Sequence, residues 1–427
     1  DEVQTGPSKE FPQLGGKVIV EHTNINPNKA AHVGHLRNAV IGDTFVRILR
    51  FAGREVEVQN YIDNTGVQVA DVIVGFLHIE KRSIAEVQGL IKHPGKKFDF
   101  YCWDLYAKVS DFYEQNDPEH KTRAQTLTAI EEGKNETAEM AEAVAMKIVR
   151  RHLATMGRIN VNYDILPRES DILHLKFWDR AFQLLKDHDA IFFQESGKKE
   201  GCWVMRLGDN SGNEDKIIVR SNGSVTYVGK DIAYQLWKLG LLERDFNYQL
   251  FESTNGAPVW VTTSESGKDE HPHFGNGQSV YNVIDVRQAY PQAVVRQGVR
   301  ALGFTAEADN SIHFSYEMVT LTPACAEQLG IQLSEKERNK PYIEVSGRKG
   351  HGVKADDLID LLESEALVEV KKRNPSFSAL EQAEISKQIA VGALRYFLLR
   401  FTRTAVIAFD FAEALNFDGE TGPYIQY

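Results

Sequence analysis

Two histidines three residues apart, in the run His32-Val-Gly-His35, are the first feature of the sequence with a chemical use. They fall where the loop after a short β-rich run becomes a helix-patterned segment. The first N–H groups of a helix lack partners and the helix dipole is positive there, worth roughly 0.3–1 kcal/mol toward an anion. Imidazoles at i and i+3 add donors on one face, and Gly34 removes the side chain that would block close approach of a phosphate-bearing ligand. Lys29, three residues before His32, and Asn24, Asn26 and Asn28 place a cation and amides in the same loop. This pattern suits phosphate binding; the same two histidines would also suit a surface pair or half of a metal site.

Several elements must position these residues. Lys17–His22 reads as a strand and the TNINPN that follows as a loop of turn formers. From His35, the apolar positions Leu36, Val40, Ile41, Thr44, Phe45, Ile48 and Leu49 recur at helical spacing. Arg37, Asp43, Arg47 and Arg50 fall mostly on the other side, and Ala52-Gly53 supplies a C-cap. Glu55–Ile62 alternates as a second strand, which completes a β-loop-α-β unit of the kind that builds a parallel sheet. Ligands of such sheets bind at the carboxyl ends of the strands. Phe76 to His174 is charged and helical in pattern, and Lys176–Asp189 continues so. IFFQE, CWVMRL, KIIVRS and SVTYVG are strand candidates for a small antiparallel patch. Val280–Asp285 reads as a buried strand with a helix after it to Leu302-Gly303. Beyond Lys354 the chain reads as helical, including ALRYFLLRFTRTAVIAFDF with its broad apolar face.

Composition limits the classes. At 427 residues the chain is long enough for two to four folding units and a core that needs no crosslink. A net charge of −11, with 42% hydrophobic and 26% charged residues, is the balance of an ordinary globular protein and excludes disorder and a general nucleic-acid coat, while allowing a local basic groove. Cys102, Cys202 and Cys325 form neither a disulfide framework nor a zinc pair, so the expectation is a reducing, cytoplasmic setting with no zinc. No apolar run approaches the ~18–20 residues of a membrane span, and DEVQTGPSKE lacks signal-peptide order.

The strand-to-helix corner resembles that of the class I aminoacyl-tRNA synthetases, whose HIGH motif His32-Val-Gly-His35 matches. VEHTNINPNKAAHVGHLRNAVIGD is similar to arginyl-tRNA synthetases in particular, as are NYIDNTGVQVAD, YDILPRESDI, GCWVM, TYVGKDIAY, SGRKG and ALNFDGETGPYIQY in the same order. The resemblance implies an α/β, Rossmann-like parallel-sheet catalytic domain with a helical insertion and the start of a C-terminal helical domain. The expected organisation is an extension (1–16), the first half of the catalytic domain (17–76), a mainly helical insertion (77–175) and the second half with the antiparallel patch (176–310). A signature-loop region (311–375) and the beginning of a truncated anticodon-binding domain (376–427) complete it. The resemblance also implies ATP with Mg2+, L-arginine and tRNA(Arg) as substrates and no membrane. A guanidinium is a planar cation with five donors, so its pocket should present carboxylates. Glu169 and Asp231, with Tyr227, are the residues the resemblance puts around it, and Glu21, Asn26 and Gln288 match positions that hold the amino-acid end or order the pocket. The other reading of Asp231 is a cap for the helix that Ile232 begins.

Departures from the family pattern define the rest. The second signature loop is matched by Glu344-Val-Ser-Gly-Arg-Lys-Gly350, with Gly347 where a lysine is usual. The resemblance implies that Lys29 supplies the displaced cation, with Ser346, Arg348 and Lys349 closing over the phosphates. The nucleotide contacts it implies are Gly34, His32, His35, Asp285 and Tyr290, the last standing where many relatives carry histidine. The domains that usually flank the catalytic fold are absent or reduced to a stub, as in a partial chain or a stand-alone relative. The function expected is an arginine-tRNA ligase. The alternatives are an arginine-activating paralogue with another acceptor and a silent nucleotide- or tRNA-binding module.

Overall fold

The computed structural model describes residues 15–93, 97–206, 215–254, 257–343, 353–416 and 422. In chain order its elements begin with β1 (Val18–Glu21), α1 (Val33–Phe51), β2 (Val56–Gln59), α2 (Val67–Val74), a π-turn (Gly75–Ile79), α3 (Ile84–Lys92), α4 (Phe98–Asn116), α5 (Lys121–Glu132) and α6 (Glu136–Arg158). β3 (Ile165–Leu166), α7 (Glu169–His174), α8 (Phe177–Asp187), β4 (Ile191–Phe193), β5 (Trp203–Met205), β6 (Lys216–Val219), α9 (Tyr227–Lys238), β7 (Asn247–Thr254), β8 (Ala257–Thr263) and β9 (Ser279–Asp285) follow. The last are α10 (Ala289–Ala301), α11 (Thr305–Asp309), β10 (Ser311–Tyr316), β11 (Val319–Leu321), α12 (Pro323–Gln328), α13 (Glu335–Arg338), α14 (Ala355–Arg373), α15 (Ala379–Leu399), β12 (Ile407–Phe409) and α16 (Phe411–Ala414).

The chain divides into two units. The first comprises Asp1–Asn24, Thr44–Asp63 and Tyr163–Ser315, the second Ile25–Asp43, Asn64–Asn162 and Tyr316–Tyr427. The first is built on a seven-stranded sheet in the order β10-β9-β1-β2-β3-β8-β7. β1 pairs in parallel with β2 and β9, β2 with β3, and β3 with β8, while β7 and β8 form an antiparallel hairpin at the edge. Register sets Glu21 beside Gln59 and Asn282, so a polar row crosses the carboxyl ends of β1 and β2 and the middle of β9. All four residues of β2 are buried, Glu57 and Gln59 included, because the strand lies between two others. The alternation expected over Glu55–Ile62 therefore does not divide a wet face from a dry one. Core packing comes mainly from α8, α9 and α10, through Phe177, Ala181, Leu185, Ile232, Leu236, Val295 and Val299.

The second unit is mostly helical. Val69, Val72, Ile73 and Phe76 of α2 and its π-turn pack with Phe98 and Leu105 of α4 and with Val144 and Ile148 of α6. α15 opens with a capping box in which Ser378 and Glu381 satisfy each other's backbone N–H groups. Among the described residues no helix is long and apolar enough to cross a membrane.

Four expectations change. The 77–175 segment is helical to Arg158, but Ile165–Leu166 near its end is a strand of the central sheet. Of the four antiparallel candidates three form the β4-β5-β6 sheet, whereas Tyr227-Val-Gly of SVTYVG opens α9, with Val225 bridged to Val219. Ile407–Phe409, read as helix, is β12 and pairs in parallel with β11, as its β-branched and aromatic residues allow. In α1 two members of the assumed polar side are buried, while Arg47 and Arg50 are exposed: Arg37 donates to the carbonyls of Met318, Thr402, Arg403 and Ala405, and Asp43 pairs with Arg395 at 2.6 Å. Ile48 and Phe51, by contrast, are 59% and 58% exposed. The β7-β8 hairpin is added by the structure.

Candidate active site

In the first unit, β1 ends in a strained corner. Thr23 and Asn24 both adopt positive φ, 76° and 44°, which is costly for a β-branched residue. Polar bonds hold the conformation: Thr23 Oγ1 meets the Tyr163 hydroxyl at 2.7 Å, while Asn24 accepts from Tyr61 N at 2.8 Å and donates to Glu21 at 2.6 Å. Glu21 is thereby fixed at the end of the strand. Its other oxygen takes the Lys238 ammonium at 2.7 Å, and the same ammonium reaches Asn282 at 2.9 Å.

Helix α9 brings a row of polar side chains to this strand end. Tyr227, Lys230, Asp231, Tyr234 and Lys238 recur at i, i+3, i+4, i+7 and i+11, a helical stripe that is polar where a core helix would be apolar. Lys230 pairs with Glu169 at 2.7 Å, and Tyr61 donates to the other Glu169 oxygen at 3.0 Å. Tyr234 donates to Gln59 at 2.5 Å. Each lysine thus answers one carboxylate. Among the described residues, the half-buried Asp231 carboxylate takes neither a hydrogen bond nor an ion pair. Its carboxyl is pushed up to about 7, first by removal from water and then by the charges of Glu169 and Glu21, with Lys238 and Lys230 pulling the other way. Burial, then the charges of Glu169, Asp231 and Asp63, holds the Tyr61 hydroxyl well above its ordinary range.

In the second unit the histidine spacing proves to be a reciprocal cap. His32 immediately precedes α1, and its carbonyl accepts the first helical bonds from His35 and Leu36. Its Nδ1 accepts from Gly34 N–H at 3.2 Å, and Nδ1 of His35 accepts in return from His32 N–H at 3.1 Å. The rings stack with centroids 3.6 Å apart. With its Nδ1 accepting, a neutral His35 ring carries its proton at Nε2 and offers it as a donor at a helix N-terminus. Burial, with the charges of His32, His152 and Lys29, keeps His35 well below the usual histidine range and hence neutral. A Cβ on Gly34 would lie 3.1 Å from the His32 ring, so the glycine admits the ring as well as a ligand. His152 donates from Nε2 to the Lys29 carbonyl at 2.7 Å, and burial lowers its pKa to about 4.

The structure therefore groups the expected residues in two sets. Glu21, Glu169 and Asp231 lie close enough in the first unit for the charges of the first two to act on the third. Lys216 stands over both the Tyr227 and Tyr290 rings, at 5.4 and 5.1 Å, with Tyr227 54% exposed as the first residue of α9. Asp285, at the end of β9, binds Arg287 and caps the 3-10 turn, and Gln288 follows exposed. Asp231 is no helix cap: Thr226 holds that place and Asp231 sits in the second turn. Lys29, His32, Gly34 and His35 form the set in the second unit, with Asn26 half-buried and accepting from Asn28 N–H. Ser346, Arg348 and Lys349 lie outside the described residues. Among those described, no group of three or more His, Cys, Asp or Glu side chains is placed to hold a metal ion.

A family model described as "tRNA synthetases class I (R), catalytic domain" matches residues 9–256. The chain belongs to this class I tRNA synthetase family. The arginine--tRNA ligase of Thermococcus kodakarensis is 37% identical over 421 residues, covering 97% of this chain and 62% of that protein. The Thermus thermophilus arginyl-tRNA synthetase structure superposes with a TM-score of 0.79 at 32% identity over 99% of this chain and 64% of that one. At 16% identity, the Plasmodium falciparum arginyl-tRNA synthetase structure shares the fold, with a TM-score of 0.67 over 98% of this chain and 58% of that one. The chain thus spans about three fifths of the length of these relatives.

Tyr61, Lys230, Lys238, Tyr234 and His152 were not among the residues expected from sequence. The polar stripe on α9 was the available signal for three of them. Tyr61 and His152 come from distant segments, and only the fold brings them in.

Proposed function

We propose that this family member is the catalytic part of an arginine-tRNA ligase. In this reading the arginine carboxylate attacks the α-phosphorus of ATP in line, a carboxyl oxygen–phosphorus bond forms, and the bond to the departing pyrophosphate breaks. A ribose hydroxyl at the 3' end of tRNA(Arg) then attacks the arginyl carbonyl carbon: an ester bond forms, the bond between that carbon and the phosphate oxygen breaks, and AMP leaves together with the hydroxyl proton. The Nε2–H donors of His32 and His35 take phosphate oxygens, Gly34 lets them approach, and Lys29 offsets the charge that develops on the transferring group. Ser346, Arg348 and Lys349 close the triphosphate side, with Asp285 and Tyr290 toward the nucleoside. Asp231, with Glu169 and Tyr227, takes the guanidinium; Glu21, Asn26 and Gln288 serve the amino-acid end. Mg2+ enters as the companion of ATP, its usual mode with phosphate substrates. A cytoplasmic setting and a helical anticodon-binding domain beginning near residue 376 belong to the same reading.

The observation that carries it is the charge balance around α9. Glu21 and Glu169 are each neutralised by a lysine, and among the described residues Asp231 is left as the carboxylate without a partner. A half-buried, uncompensated carboxylate calls for a cation, and arginine brings one with paired donors. The test is arginine-dependent ATP–pyrophosphate exchange with and without tRNA(Arg), followed by aminoacylation. Exchange and charging together support the proposal; exchange without charging would indicate another acceptor, and silence in both would indicate a binding module.

A further inference from the structure

Each of the four residues that lead into the histidine corner is held through its backbone. The Lys29 carbonyl accepts from His152 Nε2 at 2.7 Å, and Ala30 N–H donates to the Asp99 carbonyl at 3.1 Å. The Ala31 carbonyl accepts from Ala355 N–H at 2.8 Å, and His32 is bridged to Lys354. The holding groups come from α6, the start of α4 and the start of α14, which are far apart in sequence. Arg151, the neighbour of His152 on α6, joins the other two. Its Nε lies 3.2 Å from Asp99 Oδ1 and its Nη2 lies 3.5 Å from Asp356 Oδ2, both carboxylates being buried. Among the described residues Arg151 is the one cation paired with Asp99, whereas Asp356 also has Lys97 at 3.4 Å and Arg158 at 3.2 Å. Burial raises the Asp99 carboxyl above its ordinary range; the Arg151 charge opposes that and the Asp356 charge adds to it. The two carboxylates repel, and one guanidinium holds both, because its planar fork presents donors on separate nitrogens.

We propose that Arg151 is a positioning residue for the phosphate corner: by clamping Asp99 to Asp356 it fixes the two backbone groups that set Ala30-Ala31-His32 at the entrance to α1. The inference rests on the reading of His32 and His35 given under the proposed function. On one side the fixed group is the Asp99 carbonyl itself. On the other it is the Ala355 N–H, whose peptide runs directly into Asp356. Nδ1 of His35 takes its bond from His32 N–H at 3.1 Å, so a shift of the His32 backbone passes to the outward Nε2 donor. A misplacement of about 1 Å in such a group costs as much as about 10²-fold in rate, which is why a residue remote from the chemistry matters here.

The test compares Arg151→Met with Arg123→Met in the full chain. Arg123→Met removes a guanidinium from another buried carboxylate of the same unit, Asp71. Two quantities are read: arginine-dependent ATP–pyrophosphate exchange with tRNA(Arg) present, and amide hydrogen exchange along the chain. Arg151→Met should lower kcat about tenfold with the KM for arginine unchanged. It should also speed hydrogen exchange about tenfold at the Ala30 and Ala355 amides with no comparable change along α2. Arg123→Met should leave kcat and those two amides within about twofold of wild type. Wild-type kcat in Arg151→Met, a raised KM for arginine, or an equal loss of kcat in Arg123→Met would each overturn the clamp. If Arg151→Met does not fold, Arg151→Lys carries the same readouts with a smaller loss, since an ammonium keeps the charge without the fork, and wild-type values in both readouts overturn the clamp. Should wild type show no pyrophosphate exchange, the functional reading fails separately. Hydrogen exchange then decides the clamp: selective loss of protection at Ala30 and Ala355 supports it, and an unchanged or unit-wide response overturns it.

Discussion

The Lys230 ammonium closes on Glu169 at 2.7 Å, while Asp231, the next residue of the same helix, has no such partner among the described residues. Successive residues of a helix point about 100° apart, so one can satisfy a carboxylate of the pocket while the other remains open toward a ligand. The pocket is therefore set one positive charge short of balance.

That imbalance makes arginine binding pH-dependent. The Asp231 carboxyl titrates near 7, and a guanidinium takes the ionised form, so arginine affinity should be about tenfold weaker at pH 6 than at pH 8. Calorimetry in buffers of differing ionisation enthalpy should detect a proton released on binding below pH 7. Asp231→Asn should remove the pH dependence and bind arginine at least about tenfold more weakly at pH 8, since the amide turns an acceptor into a donor. Stability should move the opposite way. With the folded pKa raised, the native state holds a proton that the unfolded chain gives up between about pH 4 and 7. The contribution of this group is present at low pH and lost as pH rises through 7. Asp231→Asn should therefore melt higher than wild type at pH 8 and alike at low pH; an affinity flat across pH in the wild type would remove Asp231 from the cation site.

Arg37 supplies a test of the second unit. It is buried, desolvation lowers its pKa, and its guanidinium spans carbonyls of Met318 and of the Thr402–Ala405 turn. Arg37→Met keeps the aliphatic bulk and strands acceptors such as the Ala405 carbonyl, at a cost of about 1–3 kcal/mol. Urea denaturation measures it. Unchanged stability would mean that the burial cost of the charge cancels its hydrogen bonds.

Arg37 also marks where sequence pattern loses sight of structure. The first β-α-β unit, the strand Val280–Asp285 and the histidine corner were legible, because each is a local pattern of period, turn residues and polar spacing. Arg37 and Asp43 looked solvent-facing because pattern sees side-chain type and not the carbonyls or the Arg395 that wait for them from distant segments. Ile407–Phe409 was absorbed into the apolar run before it, since a strand of three residues carries too little alternation to separate from a helix end. At the site, Asp231 and Glu169 were visible as carboxylates in a resembling block. That Glu169 is paired and Asp231, among the described residues, is not was not visible, since this depends on Lys230 and Lys238 reaching Glu169 and Glu21 and leaving Asp231 aside.

Gly34 is a position where one methyl group is informative. A Cβ there would approach the His32 ring to 3.1 Å at Cε1 and 3.2 Å at Nδ1, so the ring must shift by a few tenths of an ångström. Gly34→Ala should cut pyrophosphate exchange by about tenfold while leaving the melting temperature nearly unchanged, because alanine favours the helix by roughly as much as the contact costs. Full activity would show that the ring yields without consequence.

The histidine cap gives the sharpest separation of structural from chemical roles. At His35, Nδ1 is consumed by the His32 N–H and Nε2 remains the outward donor. Glutamine reaches with an N–H close to the Nε2 position, whereas asparagine can supply an acceptor close to Nδ1. If donation to phosphate is what matters, His35→Gln should retain clearly more exchange activity than His35→Asn. His35→Ala should lose about 10²–10³, the scale for removing one preorganised donor. If instead the residue serves chiefly to close the helix end, the order reverses, and melting temperatures should follow the same reversed order. The neutral state of His35 adds a second check: with its pKa held well below 6.5, no fall in activity traceable to this ring should occur between pH 6 and 8. Any titration in that range that persists in His35→Gln belongs to another group, for which Asp231 is the first candidate.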